Sequence, residues 1–492
     1  MTEKIFLGQG NDKVFLLSNM LNRHGLIAGA TGTGKTITLK VLAEQFSSLG
    51  IPIFLPDVKG DLFSFCEAGV MNEAIKKRIQ LFGLDSFNFN HFPIRVWDFF
   101  SALGIPIRIT ISEMGPLLLA KLCNLNDTQT GILNIAFKIA DDNGWLLLDI
   151  KDLKSVLIYM GEHASELKLE YGNISSASVG AVQRSIMNLE TEGAKDFFGE
   201  PALQLEDFFS IEENGFGTIN ILNASKLYQR PHLYSAFLLW FLSELYETFP
   251  EVGDLEKPKC VFFFDEAHLM FDNCPKVLLD KIAQIIRLIR SKGIGIFFVT
   301  QNPTDIPEVI LSQLGNRIQH ALRSYTAKDQ KNIKQVAMTF RINPELDIEN
   351  EITNLKTGEA LVSVLQEDGS PCITEKILIT SPMSKIGTVS ETTIKQIVFN
   401  SPLYAKYKDM VDRESAYEIL TQRVQQAQKE TALQKTTSKQ PARTSSSARR
   451  KTKSTIEKMG DQVLTGFSRS VGHKIANSLT RGLMGSLTKL FK

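Results

Sequence analysis

Eight consecutive residues near the start of the chain have the types and spacing of a phosphate-binding loop. Residues 29–36 read Gly-Ala-Thr-Gly-Thr-Gly-Lys-Thr and fit the pattern G-x-x-x-x-G-K-[ST]. Glycines let the backbone wrap around a phosphate with consecutive N–H groups pointing inward. In this pattern Lys35 reaches the β- and γ-phosphates, and the Thr36 hydroxyl holds Mg²⁺. The predicted nucleotide-binding residues are Gly29, Ala30, Thr31, Gly32, Thr33, Gly34, Lys35 and Thr36.

The segments on either side favour a binding site over a glycine-rich turn that binds nothing. The apolar run 25–28 predicts a buried strand, and residues 37–46 have the apolar spacing of a helix. A strand, a glycine-rich turn and a helix together place the positive end of the helix dipole behind the bound phosphate. The sequence therefore predicts a site for a nucleoside triphosphate.

Two acidic residues follow a second apolar segment, residues 261–264. Asp265 is suited to holding Mg²⁺ through water, and Glu266 is suited to polarising the attacking water as a general base. The alternative is a strand end that carries two solvated acids. Because kinases and small GTPases typically lack this pair, its presence downstream of the loop favours ATP hydrolysis coupled to motion, with ATP and Mg²⁺ as cofactors.

A third apolar segment, residues 296–299, ends in Thr300 and Gln301. A threonine and a glutamine after a strand are by themselves a weak signal, since such residues usually only end the strand. The order of the three motifs along the chain predicts one sheet, with this strand between the other two. Thr300 and Gln301 would then face the γ-phosphate, where Gln301 could orient a water or report hydrolysis to a neighbouring surface.

Alternating strand and helix signals predict the α/β fold class, with a mainly parallel, doubly wound sheet interrupted by a helical insertion. The run 94–97 is predicted as an edge strand, and 233–246 as a buried helix. The predicted parts are an N-terminal half of the core (1–111), a helical insertion (112–200), a C-terminal half of the core (201–390), a helical extension (391–433), a disordered basic linker (434–453) and an amphipathic basic helix (454–492). Asp57, Lys59 and Asp61 follow a strand on the loop side and are consistent with an ordinary turn, a nucleotide contact or a subunit joint.

Composition favours a cytoplasmic protein of two or three folded units. The chain has 492 residues, of which 43% are hydrophobic and 22% charged, and its five cysteines show no metal-ligand spacing. We find no signal peptide and no apolar run long enough to cross a bilayer. The net charge of +1 hides an asymmetry, because residues 421–492 contain 15 Lys and Arg and only three Asp and Glu.

The basic C-terminal segment is open to three interpretations. It could hold DNA phosphates through residues 449–453, or it could lie on a membrane surface as an amphipathic helix over 479–491, a peripheral contact without a membrane-spanning segment. It could also self-associate through Gly472, Gly482 and Gly485. A solvated tail without function remains an alternative for its Ser- and Thr-rich part.

The phosphate loop, the Phe-Phe-Phe-Asp-Glu-Ala-His segment and the Phe-Val-Thr-Gln-Asn-Pro segment resemble those of the HerA/FtsK group of DNA-pumping ATPases. Residues 22–25, 57–61 and 313–317 are similar to a bacterial HerA-like branch typified by YjgR. The resemblance covers residues 1–420. It implies a RecA-like core and a homo-oligomeric, hexameric ring that acts on nucleic acid, pulling duplex DNA through its channel.

In such rings an arginine of one subunit reaches the nucleotide of the next. Arg290 occupies the matching stretch, with Arg317 and Arg323 as second choices. The alternative for Arg290 is a solvated cation at a helix end, where the helix dipole favours it.

The chain departs from HerA proper in the short segment before its phosphate loop, and we therefore expect the family's N-terminal β-barrel to be absent or vestigial. The nuclease partnership that this barrel serves is therefore not expected. A ring-shaped DNA translocase or helicase-type motor is the predicted function. The alternatives are a nucleotide-dependent switch or scaffold, and an ATPase that acts on a protein substrate or in defence against phage.

Overall fold

The computed structural model describes residues 2–437, apart from 254, 272, 273 and 275. The described chain forms two compact units: residues 2–109 with 192–411, and residues 110–191 with 412–437. The part of the predicted linker beyond Thr437 and the predicted C-terminal helix (454–492) lie outside the described residues, so the three interpretations of the basic segment stay predictions.

The first unit contains one twelve-stranded sheet with the order β2-β1-β12-β11-β10-β3-β9-β8-β4-β7-β5-β6. Its strands are β1 (Lys4–Gln9), β2 (Lys13–Leu17), β3 (Gly25–Ala28), β4 (Ile53–Asp57), β5 (Ile94–Asp98), β6 (Ile105–Pro106), β7 (Ile219–Asn223), β8 (Cys260–Phe264), β9 (Ile294–Thr300), β10 (Asn316–Gln319), β11 (Glu359–Ser363) and β12 (Glu375–Ile379).

Sixteen α-helices accompany these strands within the described residues. They are α1 (Lys35–Ser48), α2 (Glu73–Phe82), α3 (Ile111–Leu122), α4 (Asp127–Asp142), α5 (Ile150–Glu162), α6 (Ala164–Tyr171), α7 (Ser176–Leu189), α8 (Pro231–Thr248), α9 (His268–Phe271), α10 (Lys276–Ile289), α11 (Glu308–Leu311), α12 (Ala327–Ala337), α13 (Ile348–Asn354), α14 (Glu391–Asn400), α15 (Pro402–Tyr407) and α16 (Ala416–Thr437).

Eight of the strands, β10 to β6 in the sheet order, are parallel, and the other four are antiparallel. The predicted α/β class with a mainly parallel sheet is confirmed. The prediction that 94–97 forms an edge strand is wrong, because the two-residue strand β6 pairs outside β5. A strand of two residues is too short to produce an alternating pattern of apolar residues, so the sequence does not predict it.

Aromatic side chains fill the space between the parallel strands and α8. The ring of Phe54 on β4 packs 4.5 Å from that of Phe241 on α8, and Phe241 lies 5.3 Å from Phe262 on β8. Strand β8 is buried along its whole length, as expected for a parallel strand with helices on both faces. The prediction that 233–246 is a buried helix is confirmed by α8. None of the described helices has the length and hydropathy of a membrane span.

The second unit is helical and combines α3–α7 with α16. The buried carboxylate of Asp152 on α5 accepts hydrogen bonds from the Ser415 hydroxyl and from the Tyr417 N–H, the latter at 3.0 Å. The Ala416 N–H donates to the Leu146 carbonyl at 3.0 Å. The start of α16 is thus part of this unit, and residues 192–200 belong to the sheet unit. These boundaries differ from the predicted parts 112–200 and 391–433, because the bonds that join α16 to α5 are distant in sequence.

Candidate active site

The phosphate loop lies between the carboxyl ends of three parallel strands. Strand β9 lies between β3, which leads into the loop, and β8, which leads to the acidic pair, as predicted. The Gly29 N–H donates to Thr300 at the end of β9 at 3.2 Å, and the Ala30 N–H donates to Ala321 just after β10 at 2.8 Å. Backbone bonds from two neighbouring strands therefore hold the start of the loop.

The residues after β10 and before β11 support the loop from its other side. The Gly358 N–H donates to the Thr33 carbonyl at 3.0 Å. Nδ1 of His320 donates to the Glu359 carbonyl at 2.9 Å, and Nε2 of the same ring lies 2.8 Å from the Thr38 hydroxyl, from which a neutral ring accepts a hydrogen bond. Burial lowers the pKa of His320 to about 4, so the ring is neutral at pH 7. A Cβ on Gly29 would lie 2.5 Å from the Cβ of His320, which explains the glycine at that position.

Lys35 lies at the N-terminus of α1, with its ammonium inside the loop. Its Nζ donates to the carbonyls of Gly29 at 2.5 Å and Ala30 at 3.2 Å. Burial lowers the pKa of Lys35, and the nearby carboxylates of Asp265 and Glu266 counteract part of that shift. The geometry thus brings the predicted phosphate-binding cation into electrostatic contact with both predicted acids.

Asp265 follows β8 directly, and its backbone and side chain are both held. The Tyr234 hydroxyl donates to its carbonyl oxygen at 2.9 Å, and its own Oδ1 accepts the Glu266 N–H at 2.9 Å. Burial, with the neighbouring Glu266 carboxylate, raises the pKa of Asp265 to about 7. A bound cation would reduce the electrostatic repulsion between the carboxylates of Asp265 and Glu266.

Magnesium suits the donors that this site offers. The described residues contain no group of three or more His, Cys, Asp and Glu that could hold a metal by themselves. Mg²⁺ typically binds through one or two carboxylates together with substrate phosphates and water, and does not need such a cage. The Asp265 carboxylate and the Thr36 hydroxyl, at the half-buried first turn of α1, are therefore the groups that would hold Mg²⁺.

Glu266 adopts a left-handed backbone conformation with φ of 49°, which is unusual for a residue with a side chain. Its Oε1 accepts a hydrogen bond from the Gln301 amide at 3.3 Å. Its Oε2 lies 3.4 Å from Nδ1 of His268, yet both atoms are buried without a hydrogen-bond partner among the described residues. One carboxylate oxygen is thus held by Gln301, and the other faces the His268 ring without a hydrogen bond.

The three candidate arginines lie in different places. Arg290 is in a short 3₁₀ turn before β9, beside His24, and so lies at the opposite end of that strand from the phosphate loop. Arg317 donates to the backbone carbonyls of Leu314, Thr339 and Leu311. Exposed Arg323 follows β10 on the loop side and donates to Thr353. Arg290 therefore does not reach the nucleotide of its own subunit, and its action on a neighbour's nucleotide stays a prediction.

Asp57 organises the turn that follows β4. Its buried carboxylate accepts the N–H groups of Lys59 at 3.1 Å, Gly60 at 2.7 Å and Leu62 at 2.8 Å. Such side-chain bonds to the backbone two to five residues later are typical of aspartate-stabilised turns. Of the three interpretations of this segment, the geometry favours the structural turn for Asp57.

This turn leads to a pH-dependent prediction for stability. Burial raises the pKa of Asp57 from 3.8 to about 6, so its contribution to stability is present below pH 3.8 and is lost as the pH rises through 6. Replacement of Asp57 by Asn removes this titration. We expect the melting temperature of the wild type minus that of Asp57→Asn to fall between pH 4.5 and 7, as measured by scanning calorimetry. A melting-temperature difference that does not change with pH would contradict the raised pKa of Asp57.

Three residues at this site escaped the sequence motifs. His268 lies two positions after Glu266 in the Asp-Glu-Ala-His segment, but neither the phosphate-loop motif nor the acidic pair includes it. His320 and Gly358 contact the phosphate loop from elements about 290 or more residues away in the sequence. No local pattern connects them with the loop, whereas the proximity of His268 to the acids was a usable signal.

The sequence pattern of the family described as "Helicase HerA-like C-terminal" matches residues 2–491. The DNA double-strand break repair helicases HerA of Sulfurisphaera tokodaii and Sulfolobus acidocaldarius are 24% and 22% identical to this chain over 371 and 375 residues. Each match covers 72% of this chain but only 65% and 64% of the two relatives, which is less than two thirds of their lengths.

Solved structures share the same fold at low identity. The bacterial conjugative coupling protein TrwBdeltaN70 aligns with a TM-score of 0.53 at 13% identity, over 79% of this chain and 91% of that one. The plasmid coupling protein TrwB in complex with the GTP analogue GDPNP aligns with a TM-score of 0.51 at 13% identity, over 77% and 89%. These similarities support the RecA-like arrangement of the sheet. The chain belongs to the HerA-like helicase C-terminal family.

Proposed function

We propose that this protein is a motor that hydrolyses ATP with Mg²⁺ to move DNA. The observation that carries the proposal is the convergence of Lys35, Asp265 and Glu266 at the carboxyl ends of neighbouring strands, with Gln301 holding Glu266 at 3.3 Å. A phosphate-binding cation, a metal-binding acid and a general base are the groups that hydrolysis of a phosphoanhydride needs.

Each group has a distinct part in the proposed reaction. Lys35 leaves the carbonyls of Gly29 and Ala30 and binds the β- and γ-phosphates. Thr36 and Asp265 would hold Mg²⁺, which would supply positive charge to balance that of the phosphates. Glu266 takes a proton from the attacking water. The Gln301 amide orients Glu266 by donating a hydrogen bond to it, and it changes its hydrogen-bond partner when the γ-phosphate leaves.

The proposed DNA substrate is supported by the names of the relatives, and the proposed ring by the resemblance to the HerA/FtsK group. The curated relatives are named DNA double-strand break repair helicases, and the two solved structures are coupling proteins of plasmid and bacterial conjugation. We propose that this chain likewise acts on duplex DNA as a homo-oligomeric ring, in which Arg290 of one subunit reaches the nucleotide of the next. The position of Arg290 at the end of the sheet away from its own phosphate loop supports an action between subunits.

ATP turnover with and without duplex DNA tests this proposal. We expect duplex DNA to raise the steady-state rate of the full-length protein at least several-fold at low salt, and less at high salt because counterion release weakens the contact. Glu266→Gln protein gives the background rate. Turnover that neither double- nor single-stranded DNA changes would reject a DNA motor and favour a nucleotide-dependent switch or an ATPase that acts on protein.

A further inference from the structure

Arg78 lies on the buried face of α2. Its neighbours on that face are Ile75 and Phe82, three residues before it and four after it, and both are buried. Lys76 and Lys77 of the same helix are exposed, whereas Arg78 is half-buried. The sequence Lys-Lys-Arg therefore contains two solvated cations and one that points into the protein.

The guanidinium of Arg78 lies against the segment that supports the phosphate loop. A Cβ on Gly358 would lie 2.5 Å from Nη2 of Arg78, and a Cβ on Gly34 would lie 3.3 Å from the Cα of Gly358. Since a Cα–Cβ bond adds about 1.5 Å at each glycine, Arg78 lies within about 9 Å of the Gly34 Cα. Gly358, which has φ of 85°, thus lies next to both this arginine and the loop.

Among the residues that the structure describes, no carboxylate pairs with the positive charge of Arg78. Within the part of the chain that the structure describes, the Arg78 guanidinium has no hydrogen bond and no ion pair. Burial lowers the pKa of Arg78, and no neighbouring carboxylate counteracts that shift. Half-burial of an unpaired guanidinium is unfavourable, and an arginine in such a position is typically retained for an anion that it meets.

We propose that Arg78 binds the phosphate chain of the nucleotide held by the phosphate loop of its own subunit. The inference rests on the proposed function, because it needs a nucleotide at residues 29–36. The triphosphate is the densest negative charge that this loop can bring near the guanidinium, and arginine's planar fork is suited to phosphate oxygens. A side chain at position 358 would displace the guanidinium, so the glycine there leaves room for Arg78 beside the segment that supports the loop.

Isothermal titration calorimetry of the full-length protein with Mg²⁺ and ATP tests the proposal. Arg78→Gln removes the charge from the buried face, and Lys77→Gln makes the same change in charge on the exposed face of the same helix. We expect Arg78→Gln to raise the Kd for ATP about tenfold, since charged hydrogen bonds contribute roughly 1.5–3 kcal/mol. Lys77→Gln is expected to stay within about twofold of the wild type, and Arg78→Lys to recover part of the affinity.

Two results would overturn the assignment of Arg78. One is an unchanged Kd in Arg78→Gln, and the other is an equal loss in Arg78→Gln and Lys77→Gln, which would indicate only a general effect of charge. Unchanged melting temperatures establish that the variants are folded, and if Arg78→Gln is unstable, Arg78→Lys against the wild type gives the same comparison. Failure of the wild type to bind ATP would instead reject the proposed function.

Discussion

Glu266→Gln protein is expected to bind ATP as the wild type does and to turn it over about 10²- to 10³-fold more slowly. The glutamine has nearly the same shape but cannot take a proton from the attacking water, and general-base catalysis typically contributes rate factors of this size. The Gln301 amide, 3.3 Å from Oε1, can still donate to an amide oxygen. The measurement is single-turnover hydrolysis together with the equilibrium affinity for ATP.

His268→Ala protein provides a control that separates the two neighbours of Glu266. His268 lies 3.4 Å from Oε2 but makes no hydrogen bond with it, so we expect a much smaller loss of rate than in Glu266→Gln. Wild-type turnover in Glu266→Gln would reject the role of Glu266 as the general base. Loss of ATP binding in that variant would also count against it, because a base acts on water and is not needed to hold the nucleotide.

Lys35→Ala protein is expected to lose ATP binding, with a rise in Kd of at least about 100-fold. Two charged contacts with the phosphates, each contributing roughly 1.5–3 kcal/mol, account for a loss of this size. The ammonium is already inside the loop on the carbonyls of Gly29 and Ala30, so little reorganisation is needed for it to meet phosphate. Calorimetric titration with ATP measures the change.

The control for Lys35→Ala is Lys76→Ala, which removes an exposed lysine from α2 and should leave the affinity unaltered. If Lys35→Ala bound ATP with wild-type affinity, the phosphate loop would not be the nucleotide site. The comparison also establishes the binding assay on which the test of Arg78 depends.

The central part of the fold was predictable because it is local in the sequence. The phosphate loop, the strand before the acidic pair and the strand before Gln301 are each short continuous segments, and their chain order predicted the order of β3, β9 and β8. Buried parallel strands are apolar runs, and β8 is an example with every residue buried.

The outer strands, the position of α16 and the contact of Arg78 were not predictable, because each depends on contacts between residues that are distant in the sequence. The antiparallel strands β1, β2, β11 and β12 are short segments that each begin with Lys or Glu, and they take their place only by joining the edge of the parallel sheet. Helix α16 is joined to the helical insertion through Asp152 and Ser415, more than 250 residues apart. The contact of Arg78 with Gly358 is of the same kind, and a run of Lys-Lys-Arg normally indicates a solvated helix face.

The pairing of β3 also determines when the nucleotide site can form during synthesis. Strand β3 begins at Gly25, but its two partners are β9, which begins at Ile294, and β10, which ends at Gln319. At a typical 5–20 residues per second, roughly 15–60 s pass before the ribosome has supplied both. Until β9 has been made, the strand leading into the phosphate loop has neither of these neighbours, and until Gln319 has been made it still lacks β10, so a nascent chain or fragment that stops before that residue lacks part of the sheet that holds the loop. Non-local pairing of this kind slows folding and exposes apolar strands to aggregation.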